Sequence, residues 1–272
     1  MTPLNSWTAA TEIISISVTS VFLLFFSVLL LWYNQPRVHP EAPVPVRRAR
    51  PDFRSLRDFG SLNGLKKLDR AFYERPAIDL APDLLGKILV RVTSRGASAP
   101  GVRGRPGQVY RARIVETEAY VGAHDLACHA SKGRTRRTEV MFGLGGYAYV
   151  YLIYGMYPMF NIVASVDGDA QAVLIRAGEP LDHWQADLSG PGKLTRAMRI
   201  TCADNSIDLT GEQIFLLDDP TYRPVIAKTK RIGVDYAKEW RDELLRFFDL
   251  NSRAVSKMPN PKREIPNPPS HG

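Results

Sequence analysis

Five short runs rich in β-branched and aromatic residues dominate the middle of the chain, at 87–93, 109–119, 147–153, 158–166 and 171–177. No regular alternation of strand and helix accompanies them. A doubly wound parallel sheet needs a crossover helix between successive strands, so it is disfavoured. The pattern predicts an α+β domain, a single mixed unit with a mainly antiparallel sheet. Asp79–Gly86 reads as a short helix stopped by glycine, and Ser189-Gly190-Pro191 as a helix start with proline in the first turn. Runs 213–218 and 222–234 read as late strands. The folded domain is expected over 65–256.

The N-terminal part is different. After a tail of residues 1–12, residues 13–33 (IISISVTSVFLLFFSVLLLWY) contain no charged residue. As a helix, 21 residues rise about 30 Å, the thickness of a bilayer core. Trp32 and Tyr33 sit where an interfacial belt would be, and Arg37, Arg47, Arg48 and Arg50 follow. The segment is therefore expected to be an apolar membrane-spanning helix with the N-terminus outside and the domain in the cytoplasm. A start codon read too early is the competing account, and it makes the protein plainly cytoplasmic. Residues 34–64 read as a linker rich in Pro and Arg, and 257–272 as a disordered tail.

The formal net charge is +8, and since the one charge up to residue 34 is Glu12, the linker and domain together carry +9. A basic domain suits a polyanionic partner such as nucleic acid. Two cysteines, Cys128 and Cys202, form neither a disulfide framework nor a zinc motif. Their expected state is reduced.

Three stretches carry chemistry. In RIVETEAYVG (113–122), strand parity puts Glu116, Glu118 and Tyr120 on one face. This is either a charged edge strand that discourages aggregation or the site of a general base that activates water. In HDLACHASKGRTRRTEVMF (124–142), Lys132, Arg134, Arg136 and Arg137 make a basic loop, solvated or placed to touch phosphates. His124 and His129 are five apart, not the helical spacing of a metal pair. In GGYAYVYLIYGMYPMFN (145–161), Tyr147, Tyr149 and Tyr151 share a face, and Tyr154 precedes a glycine at a turn. Such a face is core, or it stacks on an extruded base while a turn-tip aromatic wedges between base steps.

The blocks LAPDLLGKILVR, RIVETEAYVG, ACHASKGRT, MFG, YAYVYLIYGMY, NIV, AVLIRAGEP, GPGKLTRAMRI and RIGVDYAKEW, in this order from about 78 to 248, resemble the alkyladenine (3-methyladenine) DNA glycosylase family, bacterial type. The resemblance implies a curved antiparallel sheet and excision of alkylated purines by base flipping. It implies that Glu118 is the catalytic carboxylate, a choice over Glu116 that parity leaves open. Tyr120 and His129 would pack on the flipped base and Tyr151 on its other side. Tyr154 would fill the vacated space in the helix, Asn161 would limit which purines fit, and Arg176 would help hold the water and the target's backbone. Two departures stand out. GRTRRTEVMF replaces the TPRN common in relatives, and the apolar N-terminal segment is not a family feature.

The implied reaction is hydrolysis of the N-glycosidic bond through an oxocarbenium-like sugar. It needs no lysine nucleophile, lyase step, metal or cofactor. The implied partner is double-stranded DNA containing damaged purines, bound by a monomer. A cationic base would gain a cation–π term on the tyrosine rings. Two other readings compete: a catalytically silent, membrane-tethered nucleic-acid-binding protein, and a small-molecule nucleoside hydrolase with no use for Tyr154 or the basic loop.

Overall fold

The computed structural model describes residues 64–93, 108–182 and 184–256. The run 13–33, linker residues 34–63 and the tail 257–272 lie outside the described residues. Among the described residues, no helix is long and apolar enough to cross a membrane.

In chain order the elements are α1 (Arg70–Tyr73), α2 (Ala77–Asp83), β1 (Ile88–Val92), β2 (Val109–Tyr120), β3 (Ala148–Ile153), β4 (Tyr157–Ala164), β5 (Gln171–Pro180), α3 (Pro191–Met198), β6 (Ile214–Leu217), β7 (Ile226–Thr229) and β8 (Arg246–Asp249). The strands form one curled sheet in the order β3-β4-β5-β2-β1-β6, with β8 pairing β2 and β7 pairing β8. Every pairing between these strands is antiparallel. This is a single α+β domain, as the strand-rich pattern predicts.

The long strand β2 organises the sheet. One edge pairs with β5 throughout Ala112–Tyr120. The other edge pairs first with β1, over Val109–Arg113, and then with β8, over Glu116–Glu118. Where the partner changes, the β2–β5 register shifts at Ile114/Glu116 and again at Glu116/Thr117. Such irregularities bend a strand and increase its twist. Here they curl the sheet around the residues that carry the acids.

Strand alternation sorts the two faces. Val150, Ile162, Val173 and Ile175 join the main core with Leu80 and Leu84 of the α2 region and with Leu194 and Met198 of α3. Helix α3 packs on β4 and β5, and α2 on β2. Tyr149, Val163 and Ala172 face the other way, against Cys128, Ala130 and Met141, with Tyr120, Tyr147 and Tyr151 at the margin. The three tyrosines therefore share a face, as their spacing predicts. α3 begins at the expected Gly190-Pro191 and ends on Arg199 in the left-handed region, at φ 56°.

Two sequence readings need correction. The run 222–234 contributes only the four residues of β7. Pro224 has no N–H for a ladder, and Gly233 breaks the far end at φ +76°. The expected helix at Asp79–Gly86 starts at Ala77 and ends at Asp83, with Gly86 beyond it at φ +86°. Helix α1 and strand β8 were not anticipated; each is four residues long.

A buried ionic knot ties β8 to the sheet. Glu116 is fully buried, and its Oε1 accepts from Arg246 Nε at 2.6 Å, Arg176 Nε at 3.0 Å and Ser256 Oγ at 2.7 Å. Its Oε2 accepts from the Ser256 backbone N–H at 2.6 Å. Removing the acid leaves Arg246, also fully buried, without its carboxylate. Glu116→Ala is therefore expected to cost about 3–5 kcal/mol of stability. Urea unfolding checks this; a loss under about 1 kcal/mol, the range of exposed pairs, would contradict it.

Candidate active site

Two residues beyond Glu116, on the same side of β2, Glu118 is equally buried but differently served. Its Oε1 accepts from the Ile232 backbone N–H at 2.8 Å. Its Oε2 accepts from the Tyr120 hydroxyl at 3.0 Å and from Arg176 Nη1 at 3.2 Å. Arg176 thus bridges the two acids. Burial works against its charge, but Glu118 and then Glu116 outweigh burial and hold the guanidinium protonated above its ordinary range. Burial, and then the Glu118 charge, pushes the Tyr120 phenol well above its ordinary range, so it is a neutral donor.

All three partners of Glu118 line one open cavity of about 1200 Å³. His129, Tyr149, Tyr151, Tyr154 and Asn161 line it too. The rings are tightly grouped. His129 lies 4.5 Å from Tyr151 between centroids, at 69°, and its Nδ1 is 2.8 Å from the Tyr149 hydroxyl. Tyr149 and Tyr151 are 5.2 Å apart. Asn161 is locked from behind, its Nδ2 donating to the Tyr149 and Met159 carbonyls at 3.1 and 3.2 Å. Its position on β4, opposite Tyr149 and Leu174, fixes where the amide meets the cavity.

Tyr154 stands at the β3–β4 hairpin tip, 83% exposed. Its φ of 52° lies in the left-handed region, and Gly155 follows at +70°. A non-glycine residue there costs about 1–3 kcal/mol. The strain points a bare aromatic ring into solvent beside Met156, itself exposed.

The basic loop divides. Lys132, Arg134 and Arg136 are exposed and do not line the cavity. Arg134 reaches Glu139 at 3.7 Å and lies 5.0 Å from the Phe142 ring. Arg137 is exposed as well but borders the cavity. It lines the cavity with its guanidinium 4.8 Å from the Tyr151 ring centroid. Among the described residues, no three His, Cys, Asp or Glu side chains are grouped to hold a metal.

Sequence reasoning missed several groups. Lys193, Arg196 and Arg199, on and just after α3, line the cavity on the side of the Tyr154 hairpin. The spacing of Lys193 and Arg196 was a readable signal, since residues three apart share a helix face. The Ile232 N–H, the Asp125–Arg231 pair and the exposed Tyr236 on the rim were also missed. A backbone donor leaves no mark in side-chain chemistry.

Comparison with known proteins agrees with this geometry. The family model described as "Methylpurine-DNA glycosylase (MPG)" matches residues 71–253. The chain belongs to the methylpurine-DNA glycosylase family. A Legionella pneumophila protein named "Putative 3-methyladenine DNA glycosylase" is 49% identical over 195 residues, 71% of this chain and 100% of the relative. Relatives with the same name occur in Methanocella arvoryzae, at 47% identity over 70% of this chain and 96% of the relative, and in Myxococcus xanthus, at 45% over 73% and 98%. Membership brings the family's class of reaction. A DNA glycosylase is a hydrolase of DNA repair, and its substrate is damaged DNA.

His129 supplies a direct check on the cavity's electrostatics. Burial first, and the Arg137 charge second, push it from 6.5 down to about 4. A histidine depressed in the folded state takes up its proton more readily when unfolded. Its contribution to stability is therefore complete above about pH 6.5 and is lost as pH falls toward 4. Ring-proton NMR should show His129 neutral throughout pH 5.5–8. Arg137→Ala should move its midpoint up, yet leave it below 6.5 because burial remains.

Proposed function

We propose that this protein excises alkylated purines, 3-methyladenine and 7-methylguanine foremost and hypoxanthine and ethenoadenine with more demand on the site, from duplex DNA by base flipping. The glycosylase domain spans 65–256 and leaves an abasic site. The observation that carries this reading is Glu118, a buried carboxylate whose three hydrogen-bond partners all line the tyrosine- and histidine-walled cavity.

An N-glycosidic bond breaks as positive charge builds on the sugar. Glu118 orients a water toward the anomeric carbon, accepts its proton and stabilises that charge. Arg176 holds the carboxylate and bears on the target's backbone. A base alkylated at N3 or N7 is cationic before the bond breaks, takes the bonding electron pair and departs neutral, while an uncharged purine would depart as an anion and needs a proton on departure. The extruded base lies against Tyr120 and His129 on one side and Tyr151 on the other, with Asn161 limiting its shape. Extrusion costs a few kcal/mol, and stacking returns about 1–3 kcal/mol per base. Tyr154 fills the gap left in the duplex. Lys132, Arg134, Arg136 and Arg137 meet the phosphates.

No lyase step is expected. Lys193 lines the cavity with its Nζ 2.7 Å from Asp187 Oδ2, and an assay for strand cleavage tests its involvement.

Duplex oligonucleotides carrying 3-methyladenine or hypoxanthine test the reading. Full-length protein should release the base and leave an alkali-labile site, with no strand cleavage before alkali. Glu118→Gln should slow release by about 10²–10⁴-fold while still binding. Tyr154→Ala should weaken excision from a duplex more than from a single strand. Protein that binds lesion DNA, releases no base and is indifferent to Glu118→Gln is a silent binder, and the proposal is then wrong.

A further inference from the structure

One of the hydrogen bonds that hold Glu118 comes from backbone, the Ile232 N–H. A backbone donor is only as well placed as the loop carrying it. Between β7 and β8 that loop has a single 3-10 turn, at Lys238–Arg241, and Gly233 in the left-handed region directly follows Ile232. Nothing regular holds Ile232 in place.

The residue before it does. The Arg231 side chain is fully buried and grips Asp125 with both ends of its guanidinium, Nη1 to Oδ2 at 2.5 Å and Nη2 to Oδ1 at 2.9 Å. The same guanidinium donates to the Ala119 carbonyl at 2.9 Å and the Trp240 carbonyl at 3.2 Å, and lies 4.9 Å from the Tyr120 ring centroid. Asp125 in turn accepts from the Ala127 N–H at 2.9 Å and the Val121 N–H at 3.2 Å. One ion pair thus joins three segments: the end of β2, the stretch leading to His129, and the loop that carries Ile232.

A buried ion pair contributes little net stability against an apolar replacement of the same volume. This one does not line the cavity. Its contacts end on two of the three donors to Glu118: Ile232 is its chain neighbour and the Tyr120 ring lies beneath it. We infer that Asp125 and Arg231 are positioning residues, which fix the Ile232 N–H and the Tyr120 hydroxyl against Glu118 and so aim its carboxylate at the reacting water. The inference rests on reading Glu118 as the water-orienting group. A displacement of about 1 Å at a reacting group costs about 10²-fold in rate.

The test uses full-length protein, single-turnover release of hypoxanthine from a duplex, and binding to duplex carrying an uncleavable abasic analogue. Asp125→Asn keeps size and one acceptor but removes the charge. Its release rate is expected to fall by about 10²-fold, with affinity for the analogue unchanged. On a Glu118→Gln background the same substitution should change the residual rate no further, because its path to chemistry runs through Glu118. Arg231→Lys, which keeps the charge but not the two-ended grip, should repeat the pattern. The inference is overturned by an unchanged rate, by affinity and rate falling together, by losses that add to Glu118→Gln, or by both variants losing native circular dichroism. Full activity in Glu118→Gln itself would instead overturn the reading of Glu118. A dead Glu118→Gln beside a fully active Asp125→Asn sinks the positioning role alone.

Discussion

Two carboxylates on one side of one strand, both out of water, carry a desolvation cost that only cations and hydrogen-bond donors brought to them offset, and the protein is arranged around that demand. Glu116 and Glu118 are fully buried on β2. Arg176 on β5 serves both, Arg246 on β8 serves Glu116, and Arg231 with Asp125 closes the group behind Tyr120. Three buried acids thus face three buried guanidiniums. Each arginine comes from a different segment, so the charge balance is also a set of long-range ties. The irregular β2–β5 register lies in the same few residues. It lets β2 exchange β1 for β8, the strand that brings Arg246.

The two acids then diverge through their remaining partners. Glu116 receives its last hydrogen bonds from Ser256, a buried residue away from the cavity. Its four contacts saturate it, and its work is cohesion. Glu118 receives its bonds from Tyr120, Arg176 and Ile232, all on the cavity wall. Strand parity treats the two positions alike. Only the tertiary neighbours separate them: beyond the shared Arg176, Glu116 is closed off by Arg246 and Ser256, while the other donors to Glu118 stand on the cavity wall.

This explains what could be read in the sequence. Strand period and tyrosine spacing are local signals, and the sheet and its tyrosine face follow them. The helix start at Gly190-Pro191 is local too. β8 was not legible, because RFFD is four residues long and its arginine reads as a surface charge, although Arg246 is among the most buried side chains. The shared role of Arg176 depends on a register irregularity that no periodicity announces. Resemblance separated Glu118 from Glu116, and the geometry supplies a physical reason for treating them differently. Arg137 was grouped with Lys132, Arg134 and Arg136 on a basic loop and is exposed as they are; what the sequence does not announce is that its guanidinium also turns to Tyr151.

That turn bears on how the cavity treats charge. A bare tyrosine face attracts a cation, and on that argument the rings alone would favour an alkylated, cationic purine. Neither ring is bare. Arg231 lies 4.9 Å from the Tyr120 centroid and Arg137 4.8 Å from that of Tyr151. A guanidinium already engaged with a ring reduces what a second cation gains there, and like charges brought to the same wall repel. His129 is depressed first by burial and second by Arg137, so the same charge adds to its neutrality. Neutrality at His129 limits the repulsion that an entering cation meets, but it does not make the cavity attractive to one. Under the proposed reaction, a preference for cationic lesions would rest less on affinity for the base than on the ease with which a base that is charged before the bond breaks departs as a neutral molecule. A neutral purine would, under the same proposal, meet those rings without that repulsion and be held back chiefly by the proton its departure requires.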